Sequence, residues 1–176
     1  EATHQSSIVG LDLLDQLNVD LYGFGRKFWE LVVESSSDFG KLCKNETITS
    51  IEYSDRYIKS ASNMMLIVSW LKGLEEQVSS LGRVKIKTII SDDKTKDLPM
   101  YLHHDYHNAN QFERVFEKLL TDNLDLSKKE IDLMIYDNSK ALYHKRNLTI
   151  TFESGTIFDI QLDQGLGYWR LYESHK

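Results

Sequence analysis

The chain has 176 residues, 41% of them hydrophobic, and a formal net charge of −6 at pH 7, values that fit one soluble globular domain with a full-sized core. That acidic balance excludes a generally basic coat for nucleic acid or anionic membrane and leaves room only for a local basic patch. The single cysteine, Cys43, excludes an internal disulfide framework and a cysteine-based zinc site, so we expect a reducing, cytoplasmic setting.

No apolar run approaches the ~20 residues of a membrane span, and we expect no transmembrane segment. The chain begins at Glu1 without a signal-peptide pattern, which reads as a domain excised from a larger protein whose other domains are its partners. Residues 1–7 are polar and expected to fray, and residues 8–17 alternate around Asp12 and Asp15 in a way that fits a strand or a helical turn. We assign residues 1–22 to a lead-in segment and 23–176 to the domain.

From Gly23, the residues Phe24, Phe28, Leu31 and Val32 fall at helical spacing with Trp29 beside them, and Asp38 begins a short helix through Leu42. Residues 47–53 (TITSIEY) are β-branched and alternating, and predict a strand. A charged loop at 54–59 leads to a helix over 60–78, with Ser60 and Ser62 as candidate N-caps. Met64, Met65, Leu66, Ile67, Val68, Trp70 and Leu71 make that helix apolar over much of its circumference, as expected of one packed on two sides.

Gly82 is expected to end it, and residues 83–91 (RVKIKTIIS) predict a second strand. Residues 92–97, with Pro99 beyond, read as a loop. Phe112, Val115, Phe116 and Leu119 then predict an amphipathic helix over 110–120, and 131–136 a third strand. Two last strands, 147–152 and 156–162, are joined by a Ser-Gly turn and followed by a glycine-punctuated aromatic exit, Gly165 to Trp169. Helices between successive strands predict a single α/β domain: a mixed sheet with a parallel core and an antiparallel edge, flanked by helices, with right-handed crossovers.

Ligand sites in such sheets lie outside the carboxyl ends of the strands. Asp55 and Arg56 follow the first strand, Asp92 and Lys94 the second and Asp137 the third, with His144 nearby. His144 and Arg146, two residues apart, project to one side of an extended segment and can face one phosphate; the bland reading is a solvated basic step. His103, His104 and His107 around Asp105 would begin a metal site if helical, but without an HExxH pattern and with a proline-led loop ahead we read them as a polar helix start and expect no metal. Gly23-Phe24-Gly25 would receive an anion at a helix N-terminus; a tight helical start is the simpler reading. The aromatic exit at Gly165 to Trp169 fits stacking or core closure, and we read core closure. No phosphate-cradling glycine motif or esterase elbow occurs, and no cofactor is expected.

The segment Ile51 to Lys59 (IEYSDRYIK) is similar to the strand-and-loop motif ending in Asp-Pro-Tyr-Ile-Arg of the phospholipase D-like C-terminal domain of MIT-domain-containing proteins. His144-Lys145-Arg146-Asn147-Leu148, then Ser154 to Ile157, then Gly165 to Trp169, resembles that family's succession of His-x-Arg-x-Ile, Asn-Gly-Trp and Gly-Leu-Asp-Tyr-Phe, so the resemblance covers roughly residues 23–170. Arg56 replaces the family's proline, Gly167 its aspartate, and the stretch between His144 and Gly165 is longer. The wording around Gly23 to Trp29 and Ser54 to Ile58 also resembles bacterial relatives, some attached to helicase-like defence proteins.

This resemblance implies a phospholipase D-like fold, often dimeric, and a role in binding anionic phospholipid while recruiting other machinery. Active enzymes of that type use His-x-Lys followed by an acidic residue, in two copies; histidine attacks phosphorus and lysine neutralises its oxygens. One copy is visible here, with Arg146 in the lysine position and Thr151 five residues on. Arginine holds phosphate bidentately, so binding can outlive turnover. We therefore expect a non-catalytic domain in which Asp55, Arg56, Lys59, His144, Lys145 and Arg146 bind a phosphate-bearing ligand, either nucleic acid or anionic lipid, with protein interaction as a further role. The alternative is a metal-independent nuclease in which His144 works across a homodimer, with Asp55, Asp159 or Asp163 orienting its ring.

Overall fold

The computed structural model describes residues 20–91, 104–137, 140–163 and 166. Its element order is α1 (Leu21–Ser35), α2 (Ser37–Asn45), β1 (Ile48–Ser54), α3 (Ala61–Glu75), β2 (Arg83–Ile89), α4 (Ala109–Asn123), β3 (Ile131–Tyr136), β4 (Arg146–Phe152) and β5 (Ile157–Leu162). The five strands form one sheet in the order β3-β2-β1-β4-β5. The pairs β1·β2 and β2·β3 are parallel, and β1·β4 and β4·β5 antiparallel. The expected mixed sheet with a parallel core is thus the observed one, flanked by four helices.

Period-two alternation divides the sheet into two unlike faces. Ile51, Tyr53, Val84, Ile86, Leu148 and Ile150 point into the core, and the helices pack over them. Tyr53 meets Trp70 of α3 edge-on, Trp70 stacks on Trp29 of α1 at 5.5 Å, and Phe39 of α2 lies 4.4 Å from Phe158 of β5. The Trp29 indole donates to the Trp70 carbonyl at 2.7 Å, so this aromatic stack satisfies a buried polar group as it fills space. The opposite face carries Glu52, Lys85, Lys87 and Asp132, linked by cross-strand ion pairs.

Helix boundaries follow their caps. Asp20 accepts from the Gly23 amide at 2.7 Å, so α1 begins two residues before the glycine expected to open it. That carboxylate already occupies the helix N-terminus, in keeping with a tight helical start and not with the anion-receiving alternative. Gly25 serves packing instead: a Cβ there would lie 1.8 Å from the Ser69 carbonyl oxygen, because α1 and α3 touch backbone to backbone. Ser60, and not Ser62, caps α3, in a reciprocal box with Asn63. The helix stops at Glu75, short of Gly82; that glycine is required because a Cβ would sit 2.1 Å from the Thr49 carbonyl oxygen.

Two apolar assignments are corrected. Met64 is buried but Met65 is 38% exposed, and α4 turns Phe112, Phe116 and Leu120 inward while Val115 is 37% exposed. The buried stripe follows the i, i+4, i+8 row of Phe112, Phe116 and Leu120, and Val115 falls about 100° from the centre of that row. Residues 8–17, the stretch 92–97 with Pro99, His103, and the exit residues Gly165 and Gly167 to Trp169 lie outside the described residues.

Candidate functional site

The junction of β1 and β4 assembles the site. Ser54 pairs with Asn147 at the last rung of their ladder, and one step further Arg146 comes against Asp55. Both continue the inward-facing rows of their strands, which is why a carboxylate and a guanidinium stand at the end of an otherwise apolar core. Asp55 is 2% exposed. It accepts from the Tyr53 hydroxyl at 2.9 Å and the Tyr57 amide at 2.8 Å, and its Oδ1 lies 3.7 Å from Arg146 Nε.

Tyr57 is the hinge pin between the charged groups. Its hydroxyl and His144 Nε2 are hydrogen-bonded at 2.8 Å, and the Arg146 guanidinium carbon lies 4.9 Å over its ring. Arg146 also donates from Nη1 to the Asp163 carbonyl at 2.7 Å, which spans from β4 to the end of β5. The expectation that His144 and Arg146 share a side is met through this tyrosine. In front of them opens a cleft of about 390 Å³ lined by His144, Lys145, Arg146, Gln161, Leu162 and Asp163.

Arg56 and Lys59 are placed differently. Neither lines that cleft. Lys59 donates from Nζ to the Ile89 carbonyl at the carboxyl end of β2, close enough to Asp55 and Arg56 to feel both charges. Burial lowers its pKa to about 8, with Arg56 adding to the shift and Asp55 opposing it. Burial likewise raises the Asp55 carboxyl, against the pull of the Tyr57 amide, the Tyr53 hydroxyl, Arg146 and Lys59. The Tyr53 hydroxyl, buried beside that carboxylate, is held far above the ordinary tyrosine range. The site therefore has two banks of basic side chains, Arg146 with His144 and Lys59 with Arg56, either side of one buried acid.

Asp137 follows β3 at the same end of the sheet, while Asp92 and Lys94 lie outside the described residues. His104 binds the Ser91 carbonyl at 3.0 Å and the Tyr106 amide at 3.2 Å, and α4 starts only at Ala109, so His104 and His107 are not on a shared helical face. Among the described residues no cluster of three or more metal-ligating side chains occurs. No described helix is long and apolar enough to cross a membrane.

Sequence reasoning missed Tyr57 and Tyr53. Tyr57 lies inside the Ile51 to Lys59 motif, which by itself assigns the ring no task. The available signal is its place two positions after Asp55, where an aromatic can meet whatever a buried acid orders.

A family model described as the C-terminal domain of the DEAD/DEAH box helicase YjiV matches residues 7–176. No curated protein and no solved structure matches the chain.

Proposed function

This chain belongs to the family of the DEAD/DEAH box helicase YjiV C-terminal domain, and on that premise we propose that it is a non-catalytic, phospholipase D-like module that holds phosphate-bearing ligands within a larger helicase protein. The observation that carries the reading is the convergence of His144 and Arg146 on Tyr57 at the mouth of an open cleft, with Asp55 buried behind them. A guanidinium fixed by a carboxylate on one side and a carbonyl on the other is pre-organised, so little side-chain entropy remains to be lost when an anion arrives. Lys145, exposed beside it, adds charge without geometry.

The way the imidazole is held supports binding without turnover, and Asp163, which lines the same cleft, makes no bond to the ring. A histidine that attacks phosphorus needs one ring nitrogen free and a carboxylate orienting the other. Tyr57 occupies Nε2, and no carboxylate among the described residues bonds the ring. Asp55 is committed to Tyr53, Tyr57 and Arg146, and Asp159 to Thr149 and Asn147. In this reading the buried acid supports Arg146 and is not the partner of a nucleophile.

The test is binding and cleavage of labelled nucleic acids and phosphatidylserine vesicles in EDTA, with wild type, Arg146→Ala and His144→Ala. Binding without cleavage, lowered about tenfold or more in Arg146→Ala, is expected, the loss of one charge-assisted contact. EDTA-resistant cleavage abolished in His144→Ala would overturn the reading in favour of a metal-independent nuclease working across a homodimer.

A further inference from the structure

We infer that the ligand of this cleft is a single-stranded nucleic acid, with Tyr143 as the platform on which one base stacks while Arg146 and Lys145 hold its phosphate. The inference rests on the phosphate-site reading and goes beyond it by choosing the ligand class and adding a residue. Tyr143 is 89% exposed, far more than Ile157 at 55%, Met65 at 38% or Val115 at 37%. An isolated exposed tyrosine means little, since much of any protein surface is apolar. This one is different because of its neighbours.

Leu142, immediately before it, is buried against Ile89 and Tyr136. His144, immediately after, is bonded to Tyr57, and Arg146 is held by Asp55 and the Asp163 carbonyl. The backbone on both sides of Tyr143 is therefore anchored, and the ring is presented to solvent beside three consecutive residues that line the cationic cleft. An aromatic face adjoining a basic groove is the pair of features by which proteins hold single strands: the groove follows phosphates and the ring takes a base, whatever its identity. Gln161 on the cleft's far bank adds an amide for sugar or base edges.

A lipid surface fits these features less well. Electrostatic attachment to an anionic leaflet draws on clusters of roughly four to eight lysines and arginines, and interfacial insertion on a broad apolar face. Here two such cations and the imidazole of His144 line a concave cleft, with one exposed ring next to them in the chain, on a protein of net charge −6. Duplex nucleic acid keeps its bases stacked inside and offers none to Tyr143.

The experiment measures anisotropy of fluorescein-labelled oligothymidylate, an abasic strand of equal length, and a blunt duplex, together with phosphatidylserine vesicle sedimentation, using wild type and Tyr143→Ala. Oligothymidylate is expected to bind wild type best, and Tyr143→Ala to weaken it by roughly 5- to 100-fold, the worth of one base-aromatic stack. Removing the bases from the strand and the ring from the protein should not add, because both delete the same contact. Tyr143→Phe should restore binding. Equal affinity for duplex, an unchanged Tyr143→Ala, additive losses, or attachment to vesicles alone would each overturn the nucleic-acid inference while leaving a phosphate site in place. Wild type that binds none of these probes would remove the phosphate reading itself.

Discussion

The contact between α1 and α3 and the junction between β1 and β4 solve opposite problems with the same kind of buried row. At the helix contact, Gly25 and Gly73 bring two backbones together so closely that neither position has space for a methyl group, and Trp29 and Trp70 stack beside them. At the strand junction the row ends in Asp55, which accepts from Tyr53 and Tyr57, and Arg146, which donates to the Asp163 carbonyl while its buried Nε, 3.7 Å from Asp55, makes no hydrogen bond. The first region admits one arrangement and places stability there. The second holds cations ready at some cost to stability, which is the usual relation between a core and a site.

The largest effect should come from breaking the helix contact. A Cβ at Gly25 would lie 1.8 Å from the Ser69 carbonyl oxygen, and one at Gly73 2.2 Å from the Gly25 carbonyl carbon, so both partners in the clash are backbone and cannot rotate away. Overpacking typically costs about 1–3 kcal/mol and more where nothing can yield, so Gly25→Ala is expected to lose at least about 3 kcal/mol in urea unfolding. Affinity of the folded fraction for phosphate-bearing ligand should be unchanged. A normal midpoint would contradict the close crossing.

Asp55→Ala comes next, and should move both properties. It strands the Tyr53 hydroxyl, the Tyr57 amide and the Arg146 guanidinium together. Breaking a buried pair costs about 3–5 kcal/mol; with Arg146 still 15% exposed and its Nε at 3.7 Å, the lower end, about 3 kcal/mol, is expected. Asp55→Asn keeps an acceptor and loses only charge, so it should cost about 1–2 kcal/mol while loosening Arg146. Equal stability of the two variants would show that charge, and not hydrogen bonding, holds the junction.

The same contrast explains what could be read in the sequence. Periodicity reports which face of an element is buried, so the spacing of Phe24, Phe28 and Val32 is enough to mark α1, and that of Val84 and Ile86 to mark β2. It does not report which element a residue meets. Gly82 reads as a helix stop because its clash with Thr49 lies on another strand, and Gly23-Phe24-Gly25 reads only as a tight helical start because the partner that requires Gly25, Ser69, is 44 residues away. At the site, two-residue spacing pairs His144 with Arg146 correctly, and the motif order brings Asp55 near. Their common partner Tyr57 lies 87 residues from His144 in sequence, and its place two positions after Asp55 does not point to that partner. The separation of Lys59 and Arg56 from the cleft also depends on which strands are neighbours, and no spacing encodes that.

The smallest effect, and the most specific, concerns Lys59. Its ammonium sits among the Ile89 carbonyl, Asp55 and Arg56, and burial lowers its pKa from 10.5 to about 8. Between those values the unfolded chain binds more protons than the folded one, so this group's contribution to stability rises with pH across that window, and its penalty is fully present below about pH 8. Anion binding runs the other way, because deprotonation removes a cation from the bank that faces Asp55. Raising pH from about 7 to about 9.5 should therefore strengthen the fold slightly and weaken ligand binding a few-fold. Lys59→Met should remove the Lys59 share of both trends, seen as the difference between the two proteins, because titration of the other lysines and of tyrosines is common to both. If wild type and Lys59→Met lose affinity in parallel as pH rises, Lys59 takes no part in holding the ligand, and the site reduces to the His144 and Arg146 bank alone.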